Sequence, residues 1–252
     1  MATVSDFYSF LDKEAPFDAQ ESWDNSGLLV GDPDTEVTRA AVVLDITNEA
    51  VESAANIGAQ LIISHHPVIF RAQKSFLKGN PAYELAKSSI SAICAHTSLD
   101  CADGGVNDTL AEILSVKNVE VFPCEESPSL LRAGVLEEPL SCQELAQKIK
   151  DALGGSVRYC DNGKMIESVA LCGGSGCSLK DDVIKAGIDA YITGDAGYHD
   201  FLECSQQSLA LFAAGHYETE NPIVTVAANK LRAQFPDTDI VVITQKNPIR
   251  YI

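Results

Sequence analysis

Short runs of apolar, β-branched residues alternate along this chain with stretches of helical spacing. AAVVLDI (40–46) reads as a buried strand. TNEAVESAANIG (47–58) has helical periodicity, a cap at Thr47 or Asn48 and Gly58 as its stop. LIIS (61–64) is a second buried strand, and the three pieces make a βαβ unit, which requires a parallel sheet. Upstream, the spacing predicts a helix from about Ser5 to Glu14, with Ser5 as N-cap and Pro16 as terminator. Trp23-Asp24-Asn25-Ser26-Gly27-Leu28 then reads as a turn leading into a short strand.

The same unit recurs without a gap at an offset of 129 residues, in VALCGGSGCSLKDDVIKAGIDAYITGD. Ala41 corresponds to Ala170, Gly58 to Gly187, Ser64 to Thr193 and His66 to Asp195. A helix and another strand follow in each half, ending in SAICAHTSLD (91–100) and LALFAAGHYETE (209–220), where the offset has fallen to 120. Any two βαβ units look alike, so the argument for duplication rests on polar residues closing the strands at matching places. In open α/β sheets ligands bind at those carboxyl ends. Between the halves, Ser141 caps a helix from Cys142 to about Leu153, with Glu144 closing a capping box. The expected fold is α/β, with two similar α/β domains of βαβ-based sheets flanked by helices and a metal site in the interdomain cleft. The expected division is 1–125 and 126–252, with the C-terminal segment able to return to the first domain.

Composition narrows the function. The 252 residues are 46% hydrophobic, enough for real cores. No window approaches the ~18 apolar residues of a membrane span. The N-terminus is acidic and lacks a basic-then-apolar leader, so a cytoplasmic protein is expected. Eight cysteines without a CxxC pair then read as reduced, mostly buried thiols, and a redox role for Cys172 and Cys177 ranks low. A formal charge of −18, from 36 acidic and 18 basic residues, repels phosphate backbones and anionic lipid, which argues against nucleic acid and membrane as partners. A polyanionic small substrate needs a locally positive site, which a metal cluster would supply.

The five histidines, His65, His66, His96, His199 and His216, all follow expected strands or lie in the loops just after them. A lone histidine is usually a surface or hydrogen-bonded core residue; the joint pattern is harder to set aside. His65-His66-Pro67 puts two adjacent imidazoles at one strand end. His96-x3-Asp100 and His216-x3-Glu220 repeat one arrangement in equivalent places. If these segments turn helically, i and i+4 share a face and can converge on one ion. Mixed imidazole and carboxylate ligation suits Fe, Mn, Zn, Co or Ni. Two histidine sets and two carboxylates are enough for a pair of ions ~3.5–4 Å apart. Asp195 and His199, in ITGDAGYHD, are candidates for substrate contact or proton transfer, as is His96. Gly173-Gly174-Ser175-Gly176, after a strand and before a helix, could cradle a phosphate, though it lacks the lysine of a P-loop. Asp103-Gly104-Gly105 reads as a turn.

WDNSGLLVGDP, LDIT, SHHPVIF, HTSLDCADGGVND, CGGSGCS, ITGDAGYHD and AGHYETE, in this order, resemble the GTP cyclohydrolase 1 type 2 homologues, or NIF-three-like dinuclear-metal proteins. The resemblance runs nearly end to end, and matches the short form without an inserted domain. It implies a two-domain α/β subunit, a ring-like homohexamer and two divalent metal ions. It also implies His65, His66, Asp100, His216 and Glu220 as metal ligands, with His96 close by. The activity it implies is weaker, because a fold and a metal pair do not fix a reaction. The leading expectation is a metal-dependent hydrolase of a nucleotide-like substrate, with proton transfer by His96, Asp195 or His199. The rival is a non-catalytic metal-binding or regulatory protein that acts through partner contacts.

Overall fold

The computed structural model describes residues 1–125, 127 and 129–250. It divides into two compact units, Met1–Asp103 with Ile223–Lys246, and Gly104–Pro222 with Asn247–Ile252.

In the first unit, α1 (Val4–Glu14) precedes β1 (Gly27–Val30), β2 (Arg39–Val43), α2 (Asn48–Asn56), β3 (Leu61–Ser64), α3 (Pro81–Lys87), β4 (Ser91–Cys94) and α4 (Thr97–Cys101). A late strand, Asp239–Val242, completes a five-stranded sheet in the order β1-β4-β3-β2-(Asp239–Val242). The last four strands of that order are parallel, and β1 is antiparallel to β4. The expected βαβ unit is therefore present. Its first strand stops at Val43, and both Leu44 N–H and Asp45 N–H donate to the Gln245 side chain at 2.9 Å. That leaves Asp45 outside the ladder, at the carboxyl end of the sheet. Thr47 caps α2, and Gly58 takes the positive φ of +71° that follows it. The first helix is capped by Thr3 rather than Ser5: Thr3 and Asp6 form a reciprocal capping box, so the cap lies two residues earlier and the helix begins at Val4.

The second unit holds α5 (Val106–Ile113), β5 (Lys117–Phe122), β6 (Leu131–Leu140), α6 (Cys142–Leu153), β7 (Arg158–Tyr159), β8 (Ile166–Cys172), α7 (Lys180–Ala186), β9 (Ala190–Thr193), α8 (Tyr198–Gln206), β10 (Ala210–Ala213) and α9 (His216–Glu220). Its six-stranded sheet runs β5-β6-β8-β9-β10-β7. Strands β8, β9 and β10 are parallel neighbours, as β2, β3 and β4 are in the first unit. Gly187 ends α7 at φ +70°, the counterpart of Gly58. The Ser141–Glu144 capping box forms as the sequence predicts.

The division falls after Asp103, where the sequence reading put it after 125; residue 126 itself lies outside the described residues. The reason is pairing: β5 hydrogen-bonds antiparallel to β6, which ties 104–125 to the second sheet. Ile223–Lys246 belongs with the first unit through the strand on β2 and through α10 (Pro222–Gln234), beyond which Phe235 stacks on Phe7 at 3.9 Å between centroids. Each unit has its own core, one around Ala41, Val43, Ile62 and Leu85, the other around Leu110, Ile149, Ile166, Val169 and Phe212. Each fully buried aliphatic or aromatic side chain contributes roughly 1.5–3 kcal/mol. Among the described residues no helix is long and apolar enough to cross a membrane.

Candidate metal centre

Parallel pairing sets the geometry. In the first sheet Val43, Ser64 and Cys94 are register partners, so the residues just after them share one sheet edge. Those residues are Asp45, His65, His66 and His96. In the second sheet Cys172, Thr193 and Ala213 are aligned in the same way, and Gly174, Asp195 and His216 follow them.

In the first unit His65, His66 and His96 each bring one ring nitrogen into a group whose ligand atoms lie within 4.8 Å of one another, a spacing that could hold a metal ion. His65 is buried, and its Nδ1 lies 2.9 Å from the Ala95 carbonyl. A carbonyl can only accept, so Nδ1 carries the proton and the lone pair is on Nε2. That Nε2 stands 3.6 Å from Asp100 Oδ1. Ser64 Oγ donates to the His66 carbonyl at 2.8 Å and Cys94 Sγ to the His65 carbonyl at 2.9 Å, which pins the backbone between the rings.

The other two rings are oriented by carboxylates. His66 Nδ1 is 2.8 Å from Asp45 Oδ1, and His96 Nδ1 is 2.7 Å from Asp24 Oδ1. Asp24 also accepts from Thr97 N–H at 3.0 Å and from Thr97 Oγ1 at 2.5 Å. Burial pushes the Asp24 carboxyl up, but the hydrogen bonds from His96 and Thr97 outweigh it and hold the group well below the usual carboxylate range. His96 N–H donates to Ser26 Oγ at 3.0 Å, so the turn read at 23–28 is what orients this histidine.

In the second unit α9 confirms the i, i+4 reading: His216 Nε2 lies 3.0 Å from Glu220 Oε2. Its Nδ1 is 2.7 Å from Asp195 Oδ2, which also accepts from Ser175 Oγ at 3.0 Å. Burial lowers the His216 pKa, but the carboxylates of Glu220 and Asp195 overcome this and raise it to about 9 in the metal-free ring. In the first unit the His-x3-acid motif takes another form. His96 caps α4 with its ring on Asp24, while Asp100 faces His65.

The glycine turn is not a phosphate cradle. Gly173 N–H donates to Asn107 Oδ1, Gly174 N–H to Thr219 Oγ1 and Gly176 N–H to Thr193 Oγ1. These donors are used inside the fold. The turn instead seats Glu220: a Cβ on Gly174 would overlap Glu220 Oε1, and one on Gly173 would press on its Cγ at 3.4 Å. His199 lies on the exposed first turn of α8, its ring 5.4 Å from Tyr198, and these contacts do not bring it to His216. Cys172 and Cys177 carry free thiols and are buried. The residues that sequence reasoning missed are Asp24, Asp45 and the Ala95 carbonyl.

Metal-ligating histidines almost always anchor one ring nitrogen on a carboxylate or carbonyl and present the other to the ion. All four site histidines have that arrangement, and the donor set of imidazoles and carboxylates fits a first-row divalent ion.

A model of the Duf34/NIF3 (NGG1p interacting factor 3) family matches residues 2–248. A GTP cyclohydrolase 1 type 2 homolog of Clostridium perfringens is 31% identical, covering 99% of both chains. One of Streptomyces coelicolor is 35% identical over 92% of this chain and 86% of its own. Among solved structures, a Staphylococcus aureus hypothetical protein is 28% identical with a TM-score of 0.90, covering 99% of each chain.

Proposed function

The chain belongs to the Duf34/NIF3 family, and on that premise we propose that it is a metal-dependent hydrolase of nucleotide-like substrates. His65, His66, Asp100, His216 and Glu220 are assigned as ligands to two divalent ions drawn from Fe, Mn, Zn, Co and Ni. The observation that carries this reading is the Nδ1 anchoring of His65, His66 and His216, which turns each Nε2 into a donor. When bound, such ions lower the pKa of water toward neutrality and polarise an electrophilic oxygen.

The chain's own groups then have separable duties. Asp45 and Asp195 orient His66 and His216 and add electron density to their rings. Asp100 and Glu220 bring negative charge to offset the ions. His96 is assigned to proton transfer: Asp24 fixes its ring as Asp45 and Asp195 fix those of His66 and His216, and its position beside His65 and His66 would put it within reach of a water held there. The names borne by the Clostridium and Streptomyces relatives make GTP the first substrate to try, with hydrolytic opening at the purine C8 as the expected reaction.

The test is protein reconstituted with Mn, Zn or Fe and assayed on nucleotides and phosphoesters. Turnover that disappears in Asp100→Ala supports the proposal. Retained metal with no turnover across the panel overturns the hydrolase and favours a metal-handling or regulatory role.

A further inference from the structure

Within the first unit, the His96 ring is flanked by two large exposed aromatics. Trp23 is 57% exposed and Phe70 41%. Their ring centroids lie 6.0 Å apart, and they stand 6.2 Å and 6.1 Å from the His96 ring, all edge-on. Adjoining exposed apolar side chains at the edge of a polar cluster are a common mark of a ligand groove.

Neither ring is placed by chance. Trp23 precedes Asp24, whose side chain is fully buried under His96 and Thr97. Asn25 Nδ2 donates to the Ile69 carbonyl at 2.5 Å, which ties the residue before Phe70 to the Trp23 turn. One short turn therefore orients His96 and also holds both aromatics beside it.

The segment leaving Phe70 differs in charge from the rest of the molecule. Residues 67–79 carry Arg71, Lys74 and Lys78 and no acid, in a chain with 36 acids and 18 bases; Glu84 offsets the Lys78 end, where its Oε1 accepts from Gly79 N–H at 2.9 Å. Residues 70–79 are exposed throughout, with Phe76 at 44% and Leu77 at 69%, and the Arg71 guanidinium stands 6.0 Å from the Phe70 ring centre. A protein this acidic repels anions over most of its surface, so the Arg71 guanidinium on the Phe70 ring, next to the aromatics at His96, favours a ligand that is both planar and anionic.

We propose that Trp23 and Phe70 with Arg71 and Lys74 form the substrate-recognition surface for a nucleotide. The base stacks on the two aromatics and the phosphates face the basic residues. This deepens the hydrolase reading and rests on it for the chemistry that follows binding.

The chain has one tryptophan, so its emission reports this surface alone. Metal-loaded full-length protein is titrated with GTP and ATP while Trp23 emission is followed, and equilibrium dialysis measures binding independently. Saturable quenching by both nucleotides is expected, with the same half-point as dialysis. Phe70→Ala should weaken binding about five- to a hundredfold. Replacing Arg71 and Lys74 together by Ala should weaken it roughly tenfold, with the effect shrinking in high salt. Binding by dialysis that leaves Trp23 emission and the Phe70→Ala affinity unchanged overturns the surface while sparing the hydrolase reading. Emission that follows protein concentration and ignores nucleotide also overturns it, and marks the patch as a contact between copies. Dialysis showing no nucleotide binding by metal-loaded protein removes the nucleotide class from both proposals.

Discussion

Asp195 Oδ2 stands 2.7 Å from Nδ1 of His216, the same relationship that Asp45 has with His66 at 2.8 Å. Each carboxylate follows a strand whose parallel neighbour leads into the histidine it orients. Asp45→Asn and Asp195→Asn should each keep the fold and lower metal affinity about ten- to a hundredfold. Competition with a chromophoric chelator measures this. Wild-type affinity in both variants would mean that the carboxylates only solvate the rings.

Gly174 and Gly187 form a matched pair. Both have positive φ, at +59° and +70°, so Ala at either should cost about 1 kcal/mol from backbone conformation. Nothing lies within 4 Å of a Cβ on Gly187, whereas a Cβ on Gly174 overlaps the Glu220 carboxylate. Gly174→Ala should therefore melt lower than Gly187→Ala, and metal content should fall only in Gly174→Ala. Equal metal content in both would remove Glu220 from the ligand set or the turn from its support.

Metal uptake should rise with pH. The metal-free His216 titrates at about 9, above its ordinary 6.5, so the ring is protonated at neutrality and its stabilisation of the apo fold is lost as pH climbs through 9. An ion entering at Nε2 must displace that proton. Apparent affinity should then gain up to about tenfold per pH unit between roughly 7 and 9. A flat profile over that interval would argue that His216 does not ligate.

Thiol chemistry should be quiet. Burial, helped by the Asp200 carboxylate, pushes the Cys177 thiol up to about 12, and burial does the same to Cys204. Mass spectrometry of the native protein after brief alkylation should find label on the half-buried Cys101 and Cys160 only. Rapid labelling of Cys177, or a Cys172–Cys177 disulfide, would reopen a redox role.

Much of this site is legible in the sequence because it follows strand ends. Consecutive apolar residues give β2, β3, β9 and β10, and whatever polar residue follows each one lands on the edge that carries the candidate ligands. The orienting groups were not legible, since Asp24 and His96 are 72 residues apart and Asp45 and His66 are 21 apart. Nothing local distinguishes Asp24 or Asp45 from other acids near turns. The unit boundary was missed for a similar reason. Strand β5, KNVEVF, is largely exposed and shows no alternation, so its partnership with β6 is decided by the ladder and not by its own pattern. The glycine turn looked like an anion cradle because its donors are visible in sequence. Their acceptors, Asn107, Thr193 and Thr219, are not.

Elemental analysis of protein purified without added metal or chelator tests the central claim most directly, with Asp100→Ala and Glu220→Ala prepared in parallel. The account predicts about two first-row divalent ions per wild-type chain and a clear loss in both variants. Fewer than about one ion per ten chains in wild type, or full occupancy in both variants, would contradict it.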